Sequence, residues 1–225
     1  MSLALTRVGQ ATYRVQTRRM RPASVKRDYG ELAAKVFILT LFSSMAMRLA
    51  DDAAETGHVT GILLLVSEAL VVALTLVRRN AGTVDRSWRA RILTMFSTFG
   101  PPLVRPEATG LAPETLTILI SGLGLIVVVF GKLSLGRSFG LSPANRGIVC
   151  SGLYKFVRHP IYLGYLITHA GFVIANPAGW NWCLLLAADA ALMFRAVCEE
   201  KTLALDPEYS AYMQRVRWRV IPGLF

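Results

Sequence analysis

Long apolar stretches recur along this 225-residue chain, and the short connections between them alternate in charge. The stretches fall at 33–50, 60–77, 91–104, 115–135, 161–175 and 180–197. A helix needs about 20 apolar residues to cross a bilayer core. In lipid, every backbone N–H and C=O must be satisfied within the structure, which favours helices for segments of this kind. The expected fold class is therefore all-α, a polytopic transmembrane helix bundle of about six spans. The stretch 91–104 is short and contains Pro101-Pro102, so a tilted or broken third helix is expected there.

Charge supports this count. Residues 1–32 carry Arg7, Arg14, Arg18, Arg19, Arg21, Lys26 and Arg27, whereas the first connection holds Asp51, Asp52 and Glu55 without Lys or Arg. Arg78, Arg79, Arg86, Arg89 and Arg91 follow the second stretch, and Arg137, Arg146, Lys155 and Arg158 follow the fourth. With six crossings every basic segment lies on the cytoplasmic side, as the positive-inside rule requires. An integral multi-pass membrane protein with both termini cytoplasmic is expected. Residues 1–32 then form a basic N-terminal segment, either an interfacial helix or a basic tail, and residues 33–135 carry about four spans. No signal peptide is expected, because residues 1–30 lack an apolar h-region.

The chain is 53% hydrophobic and only 17% charged, so the net charge of +11 reads as membrane orientation rather than nucleic-acid binding. Cys150, Cys183 and Cys198 lack metal-ligand spacing, so free thiols and no metal site are expected. Glu68, His169 and Asp189 lie inside apolar stretches, where ionisable groups are costly. Glu68 reads either as a partner of Lys132 or Arg195 or as a protonated acid making one interhelical hydrogen bond. Lys132 is near enough to the cytoplasmic end to snorkel, and Asp189 suits the deeper end of a pocket. His169 reads as a hydrogen-bonded packing residue.

Two segments are more polar than a plain bundle requires. The first runs from Gly147 to Gly164 and includes Ile148, Val149, Gly152, Tyr154, Arg158, His159, Pro160 and Tyr162. The second runs from Arg195 through Glu199 and Glu200 to Leu203, with Tyr209, Tyr212 and Arg217 beyond. Both sit at the cytoplasmic ends of the last two spans, which a short turn makes antiparallel neighbours. Gly147 and Gly152 let backbone approach a flat ring or ribose. Pro160 suits a first helical turn, with Arg158 and His159 at a helix N-terminus that favours a carboxylate. Arg195 and Glu199 share a helix face. Residues 198–217 read as an amphipathic cytoplasmic helix folded under the bundle.

These two segments resemble the signatures of the isoprenylcysteine carboxyl methyltransferase and phospholipid methyltransferase superfamily. The first is Gly152-Leu153-Tyr154, Val157-Arg158-His159-Pro160, Tyr162 and Gly164; the second is Arg195, Glu199-Glu200, Leu203, Tyr209, Tyr212 and Ile221-Pro222. The resemblance covers residues from about 137 onward and marks 136–225 as a methyltransferase-like region. It implies S-adenosyl-L-methionine as cofactor, held by Ile148, Val149, Gly152, Tyr154, His159, Pro160, Tyr162 and Glu199. It implies a lipophilic small-molecule or prenylated acceptor reached from the lipid bilayer, with Arg195 toward the substrate. Glu200 is a candidate base if the nucleophile is an amine. Three other readings compete: a phospholipid N-methyltransferase, an NADPH enzyme like the membrane sterol and steroid reductases, and a non-enzymatic membrane scaffold.

Overall fold

A computed structural model describes residues 29–56, 59–85, 87–105, 110–141 and 143–225. Most of the basic N-terminal segment, residues 1–28, lies outside this set. Among the described residues the chain is almost entirely helical: α1 (Tyr29–Thr56), α2 (Val59–Val77), α3 (Trp88–Phe99), α4 (Glu114–Leu135), α5 (Pro160–Ala175), α6 (Gly179–Leu203) and α7 (Pro207–Arg215). Two stretches are long and apolar enough to cross a membrane, Glu114–Ser138 and Gly179–Leu203. Leu119, Leu123, Ile126, Phe130 and Leu133 of α4 face outward and exposed, a surface suited to lipid rather than water.

Helices α1 to α6 run up and down. Lys35, near the start of α1, donates to the Leu76 carbonyl at the end of α2 at 3.4 Å. Arg79 N donates to Arg137 O at 2.8 Å, which brings the end of α2 beside the end of α4. Helix α3 stops at Phe99, where Pro101 and Pro102 cannot continue the backbone ladder and a 3₁₀ turn takes over. Its 12 residues rise about 18 Å, less than a bilayer core. The chain nevertheless continues along α6: Ser97 meets Arg195 at 3.5 Å, Leu103 O accepts from Trp180 Nε1 at 3.1 Å, and Arg105 N donates to Asn181 Oδ1 at 2.9 Å. A broken segment thus reaches from the lower half of α6 to its first turn.

The packing is uneven. Helices α4 and α5 make the most intimate contact in the molecule, because glycines bring their backbones together. A Cβ on Gly164 would lie 2.7 Å from Gly124 O and 2.8 Å from Val128 N, and one on Gly171 would lie 2.9 Å from Ser121 N. Helices α5 and α6 are joined by only Asn176, Pro177 and Ala178, yet touch along a short stretch. The space between them is not filled by helix packing.

Three sequence expectations change. Helix α6 continues past residue 197 to Leu203, so Glu199 and Glu200 belong to it; α7 is a separate nine-residue helix beginning at Pro207 and capped by the Asp206 side chain. Lys132 does not snorkel: it is fully buried, and Nζ donates to Ser67 O at 2.9 Å and Ser67 Oγ at 2.8 Å, with Glu68 Oε1 4.0 Å away. A backbone carbonyl and a carboxylate inside the bundle satisfy the ammonium where it stands. A short antiparallel ladder, absent from the all-α expectation, pairs Thr83–Val84 (β1) with Ala144–Asn145 (β2).

Replacing Gly164 by Val should force α4 and α5 apart and cost roughly 1–3 kcal/mol, read as a lower thermal midpoint of the purified protein. Gly179→Ala, where an added Cβ meets nothing within 4 Å, should leave that midpoint unchanged.

Candidate active site

The polar centre assembles where α5 begins and α6 nears its end. Pro160 opens α5 and His159 precedes it as the cap residue. The chain after α7 lies alongside: Arg158 N donates to Trp218 O at 2.9 Å and His159 N to Arg219 O at 2.7 Å. This brings six ionisable groups together. Glu200 Oε1 lies 3.0 Å from Arg158 Nε and 3.3 Å from His159 Nε2, both ion-pair contacts set out of line for hydrogen bonding. Arg219 Nε donates to Glu200 Oε2 at 2.7 Å.

Glu199, one residue earlier, faces another way. Its Oε1 accepts from the Tyr162 hydroxyl at 2.7 Å and from Arg195 Nε at 3.1 Å, and its Oε2 lies 3.7 Å from His159 Nδ1. Arg195 also donates from Nη2 to Leu141 O and lies 5.4 Å over the Tyr162 ring. Tyr162 in turn stacks on His159, with centroids 5.1 Å apart.

Two cavities meet at this cluster. One is small, about 100 Å³, and the more polar of the two, lined by described residues of the 138–149 loop together with Arg158, Leu203, Tyr209 and Tyr212. The other is about 510 Å³, predominantly apolar, and occupies the space between α5 and α6 with walls from α1, α2 and α3. Tyr154, His159 and Glu199 line both. The polar cavity is roofed by a fastened loop: Asn145 Nδ2 donates to Asp206 Oδ2 at 2.9 Å, and its Oδ1 accepts from Gly147 N at 2.9 Å. Gly147 adopts φ +102°, a conformation that side chains rarely tolerate.

Of the residues singled out in the sequence, Ile148, Val149, Tyr154, His159 and Glu199 line the polar cavity, while Tyr162 and Arg195 line the apolar one. Gly152, Pro160 and Glu200 line neither. Gly152 has φ +60° and is set against Ser134, so it seats the loop on α4. Pro160 is buried as the first residue of its helix. The carboxylate expected at the α5 N-terminus is the chain's own Glu200. Sequence reasoning counted Arg146 only as a loop charge, yet it is buried in the polar wall, and a Cβ on Gly140 would lie 2.7 Å from its guanidinium carbon. The pair Gly140 and Arg146 carried no periodic signal. Tyr209 presents a buried hydroxyl with no hydrogen-bond partner at the same wall.

Burial, with the charge of Glu199 next, raises the Tyr154 hydroxyl well above its ordinary pKa, and burial chiefly raises Tyr212, whose hydroxyl donates to Tyr154 O at 2.7 Å. The folded state therefore holds protons that the unfolded chain releases near pH 10. Their contribution should be complete below about pH 10 and lost progressively above it, so the thermal midpoint should fall as pH rises above about 10, less steeply in Tyr212→Phe. Glu200→Ala leaves the guanidinium groups of Arg158 and Arg219 without their carboxylate and should cost about 3 kcal/mol of stability, measured by the same melts.

No curated protein matches the chain. A family model does: residues 117–205, from the first turns of α4 to just beyond α6, match the isoprenylcysteine carboxyl methyltransferase (ICMT) family, which bears out the resemblance carried by the two polar segments.

Proposed function

We propose that the protein is an S-adenosyl-L-methionine-dependent membrane methyltransferase acting on a lipophilic acceptor, most closely an O-methyltransferase of isoprenylcysteine-like carboxylates. The observation that carries this reading is the shared wall. A polar compartment suited to a charged cofactor and an apolar compartment suited to a lipid-soluble acceptor meet at Tyr154, His159 and Glu199. Helices α1 to α6 act as the spans, with the paired loops and α7 on the cytoplasmic side. Helices α5 and α6 form the acceptor chamber with walls from the N-terminal helices, and residues 136–225 also supply the cofactor side.

The residues suit the cofactor chemically. Glu199 offers a carboxylate to a cation or ribose hydroxyl, Tyr209 an unsatisfied buried hydroxyl, and Tyr154, Tyr209 and Tyr212 aromatic surface. At about 100 Å³ the polar cavity is below the usual range for whole ligands. When bound, the cofactor supplies an electrophilic methyl group on a sulfonium.

What the chain contributes is position and dryness. The apolar cavity strips water from an incoming carboxylate or thiolate, which raises its reactivity. Arg195 is fixed by Glu199 and by the Leu141 carbonyl, with its guanidinium on the cavity wall. There it orients an acceptor carboxylate through a charge-assisted hydrogen bond. Glu200, held by Arg158, His159 and Arg219, serves as the anchor of the site rather than as a base.

S-adenosyl-L-methionine should raise the thermal midpoint of the purified protein where reduced nicotinamide cofactors do not. Membranes containing it should transfer radiolabelled methyl to an extractable lipophilic product. Stabilisation by the nicotinamide cofactor alone would reverse the assignment. Glu199→Gln should weaken cofactor binding at least about tenfold, the scale of a lost hydrogen bond to a charged group. Arg195→Ala should leave cofactor binding near wild type and lower kcat about a hundredfold.

A further inference from the structure

The apolar cavity has a second polar point that the reaction does not use. His169 on α5 lines it, and His169 Nδ1 lies 2.6 Å from Asp189 Oδ1 on α6. Tyr165, also on the wall, stacks on the imidazole with centroids 6.2 Å apart and fixes its plane. His169 is only 8% exposed, and among the described residues nothing else pairs with its ring. With Nδ1 engaged by Asp189, Nε2 is the ring atom left for a ligand hydroxyl, accepting from it when the ring is neutral and donating to it when the ring is protonated.

The wall around the imidazole is mostly apolar, from Phe172, Leu185, Leu192 and Leu125.

Separation from the reacting end follows from helix geometry. His169 is seven residues beyond Tyr162 on α5, and Asp189 is six residues before Arg195 on α6. At 1.5 Å per residue both helices place the pair about 10 Å from the Tyr162–Arg195 level. A purely hydrocarbon tail would leave the His169 nitrogen desolvated and unsatisfied, at a cost that a hydroxyl removes.

We propose that His169, oriented by Asp189, selects acceptors that carry a hydroxyl about 10 Å from the group to be methylated. The substrate class is thus a two-ended amphiphile, with its reacting carboxylate at Arg195, an apolar body, and a hydroxyl at His169. This rests on the methyltransferase reading for the identity of the reacting end, and its own test does not require turnover.

The probes are decanoic acid and its ω-hydroxy derivative, added to protein in lipid nanodiscs, with binding read from thermal stabilisation. S-adenosyl-L-methionine is titrated separately on the same preparations. Wild type should bind the hydroxy acid about tenfold more tightly than the parent acid, the scale of one buried hydrogen bond. His169→Phe should bind the two acids equally, which also removes any difference in bilayer partitioning as an explanation. Asp189→Asn, which retains a polar partner for the ring, should reduce the preference without abolishing folding, and it carries the test if His169→Phe does not fold. Equal binding of the two acids by wild type, or a preference that persists in His169→Phe, would overturn the proposal and leave the pair as a clamp between α5 and α6. Loss of response to S-adenosyl-L-methionine in wild type would instead overturn the methyltransferase reading.

Discussion

The arrangement depends on two adjacent carboxylates held at the mouth of α5. Glu200 draws in Arg158, His159 and Arg219, which come from the loop before α5 and from the chain after α7. Glu199 draws in Arg195 and Tyr162, from α6 and α5. Removing either carboxylate leaves cations buried without a counter-charge, a cost of several kcal/mol in surroundings of low dielectric. The cluster thus joins three parts of the chain at the boundary between the two cavities, beside the apolar core that Ile161, Leu192 and Val220 share. Neighbouring residues on a helix point about 100° apart, which is why Glu199 faces the cavities while Glu200 faces Arg158, His159 and Arg219.

A complementary constraint creates the larger cavity. Glycines at the α4–α5 contact draw those helices so close that no side chain fits between them. With α5 committed to α4, its other side cannot also close on α6, despite the three-residue turn that joins them. What remains is bridged at its ends by polar contacts, Tyr162 with Glu199 on one side and His169 with Asp189 farther along. The walls are then completed by α1, α2 and the broken α3, whose Pro101 and Pro102 line the space directly. A straight third helix would present side chains there instead.

Much of this was legible in the sequence for physical reasons that are local. The α2, α4 and α5 boundaries follow from hydropathy, and the start of α5 follows from Pro160, because proline lacks the donor that a first turn does not need. The pairing of Arg195 with Glu199 follows from helical spacing. The convergence of Tyr154, His159 and Glu199 was reached through motif resemblance and through the antiparallel placement of α5 and α6. What was not legible depends on non-local contacts. Lys132 looks like a snorkelling lysine until Ser67 is brought beside it from 65 positions away. Arg146 looks like an orienting charge until Gly140 makes room for it. Helix α6 seemed to end where polarity rises near Cys198, yet a helix leaving lipid need not stop, since its backbone bonds remain satisfied in either medium.

The same reasoning separates the roles of the two arginines nearest the boundary. Arg158 lines the polar cavity but spends its Nε on Glu200, and so holds α5, α6 and the terminal segment in register. Arg195 is fixed at two corners, by Glu199 and the Leu141 carbonyl, while its Nη1 reaches Ser97 only at 3.5 Å, the long limit of a hydrogen bond. An arginine pinned at Nε and one terminal nitrogen has lost its rotamer freedom before any ligand arrives. It still keeps donors directed along an apolar wall. That is the state in which a single charged side chain recognises an acceptor carboxylate at small entropic cost, because the ordering was completed by folding.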